Sequence, residues 1–252
     1  MRKYVRILRV KDKQRISMNV SPRDRLILAL DVDTPKEAEA LVEKLSQFVG
    51  VFKVGPRLFT RCGPKIIDLI KEKDGKVFYD AKFYDIPSAV KKAAEGAVEM
   101  GVDMFTLHTL GGSEMMEAAV EGIRSENSKV NVLGVTLLTS LSSRILKEEL
   151  GIERNLNEEI IHLAGLARKA GLDGVITSAR ELENLRRNFG SDFILVVPGI
   201  RPPGSRKNEQ RRISTPKEAI EKGADFLVVG RPILNSNDPV GITKRILREM
   251  ES

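Results

Sequence analysis

The chain has no tryptophan, one cysteine (Cys62) and two histidines among its 252 residues. One thiol closes no intramolecular disulfide and builds no multi-cysteine zinc site. It suits a reducing compartment, and a cytoplasmic location is expected. Two imidazoles exclude a histidine-rich metal centre. No apolar run approaches the length that crosses a bilayer. The opening stretch MRKYVRILRVKDKQRISMNVSPRD is basic, with no continuous apolar core and no small-residue cleavage site, so it does not read as a signal peptide. Residues 1–22 are taken as a basic N-terminal extension, and 23–252 as one catalytic domain. A nucleophile elbow, a Walker loop and a Gly-x-Gly-x-x-Gly fingerprint are all missing, so hydrolase, ATP and nicotinamide chemistry are not called for. Neither cofactor nor metal is expected.

Charge is plentiful: 42 Lys and Arg against 35 Asp and Glu give a net charge of +7. The basic residues are spread along the chain, as on a solvated surface. They also suit attraction of a small phosphorylated substrate. A basic nucleic-acid-binding protein is the non-enzymatic alternative. Few aromatics and no zinc-finger or RNA-binding signature speak against it.

What is abundant is a repeated unit: a short apolar run, a polar loop, an amphipathic stretch. The runs are LILALD (26–31), VFKVG (51–55), VFYDAK (77–82), MFTLH (104–108), NVLGVTLL (131–138), GVIT (174–177), FILVVPG (193–199) and FLVVG (226–230). Helical patterns with apolar residues three and four apart fill the gaps. Continuous apolar strands alternating with helices imply a parallel sheet covered on both sides. Eight such units match a single-domain (β/α)8 TIM barrel better than an open sheet. Residues 139–153 read as an extra short helix or loop, and 200–213 as a long polar loop after the seventh strand. Loops of that length in a compact fold are usually functional.

Chemistry in such barrels sits at the C-terminal strand ends, and the charged residues fall there. Asp31 ends the first strand, Lys53 lies near the end of the second, Asp80 and Lys82 end the third, and His108 ends the fourth. Alternation along a strand points Asp80 and Lys82 the same way. The expected array is Asp31, Lys53, Asp80, Lys82, in which each charge offsets its neighbour. A structural ion network is the plainer reading of the same residues. Asp85 lies past the strand and could cap the following helix. After strands seven and eight come Arg201, Gly230 and Arg231, in loops where these barrels bind phosphate.

The strings LALD (28–31), FKVG (52–55), DAKFYDIP (80–87), GVTLLTS (134–140), VVPGIRP (196–202), NEQRR-x-STP (208–216) and VVGRPI (228–233) resemble the orotidine 5′-phosphate decarboxylase family over roughly residues 24–245. The resemblance implies cofactor-independent decarboxylation of orotidine 5′-monophosphate to UMP in pyrimidine biosynthesis. It implies that Lys82 protonates C6, that Asp80 sits beside the substrate carboxylate, and that Asp31 and Lys53 bind ribose hydroxyls. Asp85, with Ile86 beside it, would reach the partner's site across a homodimer interface. Thr139 and Ser140 would contact the pyrimidine. Arg201, Gln210, Gly230 and Arg231 would bind or close over the phosphate. The family's Asp-Ile-Pro-Asn-Thr run is DIPSA here, so Ala89 stands at the threonine position. The nearest rival is a metal-dependent sugar-phosphate lyase or aldolase of the same suprafamily, of 3-keto-gulonate- or hexulose-phosphate type. It shares the Asp-x-Lys-x-x-Asp string but not the PGIRP and LLTS strings.

Overall fold

The computed structural model describes residues 20–125, 129–203 and 213–251. Most of the basic extension therefore lies outside the described residues, as do Gln210 and most of the loop expected over 200–213. Among the described residues, parallel strands close into one barrel in sequence order. They are β1 (Leu26–Ala29), β2 (Val51–Val54), β3 (Lys76–Phe83), β4 (Met104–His108), β5 (Asn131–Val135), β6 (Gly174–Ile176), β7 (Ile194–Val197) and β8 (Phe226–Val229). Each overlaps one of the eight apolar runs. β1 closes the ring by pairing with β8, Leu28 opposite Val229. No helix among the described residues is long and apolar enough to cross a membrane.

Alternation along each strand sorts the side chains into two layers. Ile27, Val51, Phe78, Met104, Leu133, Val196 and Phe226 fill the barrel interior. Their neighbours Leu28, Phe52, Val77, Phe105, Val132, Leu195 and Leu227 pack outward under the helices. The interior is thus a packed plug, and a ligand has room only above it.

The helices begin on local signals. Thr34, Asn155 and Thr215 each form a reciprocal capping box with the glutamate three residues on, opening Pro35–Leu45, Leu156–Lys169 and Pro216–Glu221. Two of these starts carry the same string, TPKEA. A helix the periodicity did not single out, Pro56–Cys62, follows β2 directly. In residues 139–153 the extra element is one π-helical turn, Ile145–Glu149.

A second repeat organises the base of the barrel. Gly101-Val-Asp103, Gly171-Leu-Asp173 and Gly223-Ala-Asp225 precede β4, β6 and β8. Each glycine has a left-handed φ (73°, 87° and 96°), which ends the preceding helix without a Cβ penalty. Each aspartate then accepts the N–H of a residue on the strand before, Val77, Val132 or Leu195, at 2.8 Å. The third copy is buttressed. Arg186, from helix Leu182–Phe189, donates to the carbonyls of Gly223 (2.8 Å), Gly190 (3.0 Å) and Phe193 (2.6 Å) and pairs with the Asp225 carboxylate. Arg25 donates to the carbonyls of Asp225 (3.0 Å) and Ala224 (2.7 Å). A groove of about 660 Å³ lies among these same residues, and its guanidinium groups are already committed to protein acceptors.

Replacing Arg186 by alanine leaves the Asp225 carboxylate buried without its guanidinium. The expected loss is about 3–5 kcal/mol of unfolding free energy, read from urea denaturation midpoints. A loss below about 1 kcal/mol would show that the clamp contributes no more than a surface pair.

Candidate active site

The inward-facing positions of the strands turn from apolar to polar at the C-terminal rim. Ala29 is followed by Asp31, Val51 by Lys53, Phe78 by Asp80 and Met104 by Thr106. Lys53 Nζ donates to Asp31 Oδ1 at 3.2 Å and lies 3.4 Å from Asp80 Oδ2. Lys82 Nζ donates to the same Asp80 oxygen at 2.6 Å. The array expected from the sequence is therefore present, in the expected order. Gly55 leaves room for it, since a Cβ there would come within 3.1 Å of Lys53 Nζ.

Regular alternation is not what brings Asp80 and Lys82 together. Tyr79 pairs with Phe105, but the next pair is Phe83 with Leu107. Three residues of β3, Asp80 to Lys82, thus stand opposite the single residue Thr106, a bulge that bends the strand. Lys82 has φ +52°, in the left-handed region that a residue with a Cβ seldom occupies. Thr106 holds the distortion. Its hydroxyl donates to Asp80 Oδ1 and accepts the Lys82 N–H, both at 2.9 Å, and the residue is fully buried.

The electrostatics follow from burial and pairing. Burial pushes the Asp80 carboxyl up, but Lys53, Lys82 and the hydrogen bonds from Lys82 and Thr106 outweigh it and hold its pKa below the usual carboxylate range. Burial pulls Lys53 down, while Asp80 and Asp31 more than reverse this and raise it. Both groups are held in their charged forms. His108 is driven the other way, lowered by burial and by Lys82, and its ring packs 5.7 Å from that of Tyr84.

Arginines gather on the wall after β7 and β8. Arg201, after β7, is 7 % exposed and spends one N–H on the Ile200 carbonyl. Its pKa is lowered by burial and by the nearby Arg231. Two like charges brought together in a concave, partly dehydrated wall have the chemistry to attract an anion. Gly199 makes the turn into this wall with φ +81°. A Cβ on Gly230 would come 3.3 Å from Ala29 Cβ and 3.6 Å from Asp31 Oδ2. The long loop leaves and returns at one point, because Ile200 bridges Ser214 and the Arg201 N–H donates to the Ser214 carbonyl at 2.9 Å.

A cavity of about 250 Å³ joins these groups. It is lined by Asp31, Lys53, Asp80 and Lys82 at the ends of β1 to β3, by Arg201, Gly230 and Arg231 after β7 and β8, and by Thr139 after β5. Ser140 is exposed and does not line it. Asp85 and Ile86 are also outside it: both are exposed, and Asp85 accepts the Ile86 N–H at 2.7 Å. The helix Pro87–Glu99 has Ile86 as its N-cap with no side-chain capping bond, so Asp85 does not cap it. Ala89 is exposed on the first turn. Among the described residues no three His, Cys, Asp or Glu side chains gather as a metal site.

Two contributors escaped sequence reasoning. Thr106 was legible as an inward-facing polar residue in an apolar strand. Arg57, on the helix after β2, chelates the Asp33 carboxylate and donates to the Asp31 carbonyl at 2.9 Å, holding the loop that carries Asp31. Its signal was the Gly55-Pro56 start, since proline suits the first helical position.

The chain matches the Orotidine 5′-phosphate decarboxylase / HUMPS family over residues 24–246. It is 50 % identical over 238 residues to the orotidine 5′-phosphate decarboxylase of Syntrophotalea carbinolica, covering 92 % of this chain and 97 % of that protein. It is 45 % identical to that of Moorella thermoacetica, covering 91 % and 93 %. The crystal structure of orotidine 5′-phosphate decarboxylase from Lactobacillus acidophilus superposes with a TM-score of 0.81 at 35 % identity, over 90 % of this chain and 99 % of that one. By motif, by fold and by these similarities, the chain belongs to the orotidine 5′-phosphate decarboxylase / HUMPS family.

Proposed function

We propose that the protein is an orotidine 5′-phosphate decarboxylase, converting orotidine 5′-monophosphate to UMP. The observation that carries the reading is the Asp80 carboxylate shared by two ammonium groups, with Lys82 Nζ 2.6 Å away at the cavity mouth. The relatives at 50 % and 45 % identity favour the decarboxylase over the sugar-phosphate lyase, a distinction the family match alone does not make.

The mechanism follows from where charge develops. The bond from C6 to the carboxylate breaks, CO2 leaves, and the electron pair stays on C6. Lys82 faces that developing charge and then gives its proton to C6; solvent reprotonates the amine. Fixed ammonium groups stabilise the carbanion without reorganising, and this preorganisation is the main electrostatic term. Asp80 keeps Lys82 oriented and sets a negative group near the departing carboxylate, an effect ranked second. In this reading Asp31 and Lys53 take ribose hydroxyls, Thr139 faces the pyrimidine while its neighbour Ser140 lies outside the cavity, and Arg201, Gln210, Gly230 and Arg231 take the phosphate. Grip on the remote phosphate holds the reacting carbon in place through the transition state.

The reading includes a homodimer. Asp85 is flanked by Tyr84 and Ile86, whose large apolar side chains are 64 % and 65 % exposed. Such neighbours suit burial against a second copy, with Asp85 and Ile86 entering the partner's site. Ala89 leaves that contact without the family's threonine hydroxyl. A cytoplasmic location belongs to the same proposal, on the reducing chemistry that one free cysteine suits.

Turnover is followed by loss of orotidine 5′-monophosphate absorbance. Lys82→Ala is expected to lower kcat about 10⁴-fold, combining lost proton donation and lost charge stabilisation; near-full turnover would sink the role given to Lys82. EDTA is expected to leave the wild-type rate unchanged, whereas the metal-dependent lyase would lose its activity. Ile86→Glu should sediment as the 28.0 kDa chain and lose most activity, against an active wild-type species of twice that mass. A wild type that is active as the single chain would contradict the shared site.

A further inference from the structure

We infer that Thr106 is a positioning residue for the reaction, a latch whose hydroxyl fixes the β3 bulge so that Asp80 and Lys82 face the reacting carbon together. The inference rests on the decarboxylase reading.

The β3 bulge creates the need. Asp80, Ala81 and Lys82 crowd opposite one residue of β4, so the regular ladder cannot serve all their backbone groups. A buried N–H without an acceptor is costly. The Lys82 N–H donates to the Thr106 hydroxyl at 2.9 Å. That bond holds Lys82 at φ +52°, from which its ammonium reaches Asp80 at 2.6 Å. A relaxed Lys82 backbone would redirect the side chain.

The hydroxyl also settles how Asp80 is shared. A threonine hydroxyl has one hydrogen to give and lone pairs to receive. Here it gives the hydrogen to Asp80 Oδ1 at 2.9 Å while receiving from Lys82. Oδ2 is left to both lysines, at 2.6 and 3.4 Å. One buried hydroxyl thus sets the rotation of the carboxylate and the backbone of the lysine. Valine has nearly the same shape and can do neither; serine can do both without the methyl. A threonine present only to fill space would show the opposite tolerance.

The test compares Thr106→Val and Thr106→Ser with the wild type, measuring steady-state decarboxylation and the affinity for UMP. The valine variant should lose about 10- to 100-fold in kcat, because misplacement of reacting groups by an ångström costs that order. Its KM and UMP affinity should stay within about 3-fold, since the phosphate and ribose contacts are elsewhere. The serine variant should keep kcat within about 5-fold. If the valine variant does not fold, Thr106→Cys, a weak donor of similar size, takes its place. A valine or cysteine variant with kcat within about 3-fold of wild type overturns the latch. So does a serine variant as impaired as the valine one, which would make the methyl, not the hydroxyl, the important group. A wild type inert toward orotidine 5′-monophosphate would refute the decarboxylase reading and the latch with it. An active wild type with an unimpaired valine variant overturns the latch alone.

Discussion

Asp80 is a carboxylate held in the barrel mouth between two ammonium groups, and the arrangement of the site depends on that pairing. A buried carboxylate alone would take up a proton, and a buried lysine alone would lose one. Together they stay charged, so the cavity keeps fixed charges at its rim. Asp31 supports Lys53 from the outer side, Arg57 holds the loop bearing Asp31, and Thr106 holds Asp80 and Lys82 from below. Removing any one member leaves another charge less well compensated, so effects within this group should not be additive.

The barrel separates stability from chemistry along its axis. At the base, Gly-x-Asp turns tie successive strands, and Arg186 binds the last of them to its neighbours. At the rim, the same inward positions that are apolar below become Asp, Lys and Thr. The packed interior between them gives the charged array a rigid floor. It can therefore hold like-charged arginines and a set of paired charges around one cavity without collapsing.

The strands were legible because parallel barrel strands are buried on both faces and appear as continuous apolar runs. Asp31, Lys53 and Asp80 were legible because inward parity carries on past the apolar layer. The bulge was not. Nothing in DAK signals a break in the ladder, and no glycine marks the positive φ, which falls on Lys82. The contact between Asp80 and Lys82 was anticipated from an alternation that the strand does not keep there. Thr106 stands out as a polar residue in an apolar strand, but its role was hidden for the same reason, since that role exists only if the bulge does. Helix Pro56–Cys62 was missed through weak apolar periodicity, although Gly-Pro announces its start. The Gly-x-Asp repeat is written in the sequence, but its meaning needs the strand it reaches. Asp85 accepts the Ile86 N–H and lies outside the cavity of its own chain, so the role proposed for it rests on a second copy of the chain.

In the proposed reaction everything turns on an ammonium group at position 82, held against Asp80. The most direct measurement is turnover of a Lys82→Cys variant, in a Cys62→Ser background, before and after aminoethylation of the new thiol. The account predicts a nearly inactive protein that regains a substantial share of wild-type turnover once the amine is restored. A folded variant that is active without the amine, or remains inactive with it, would contradict the account.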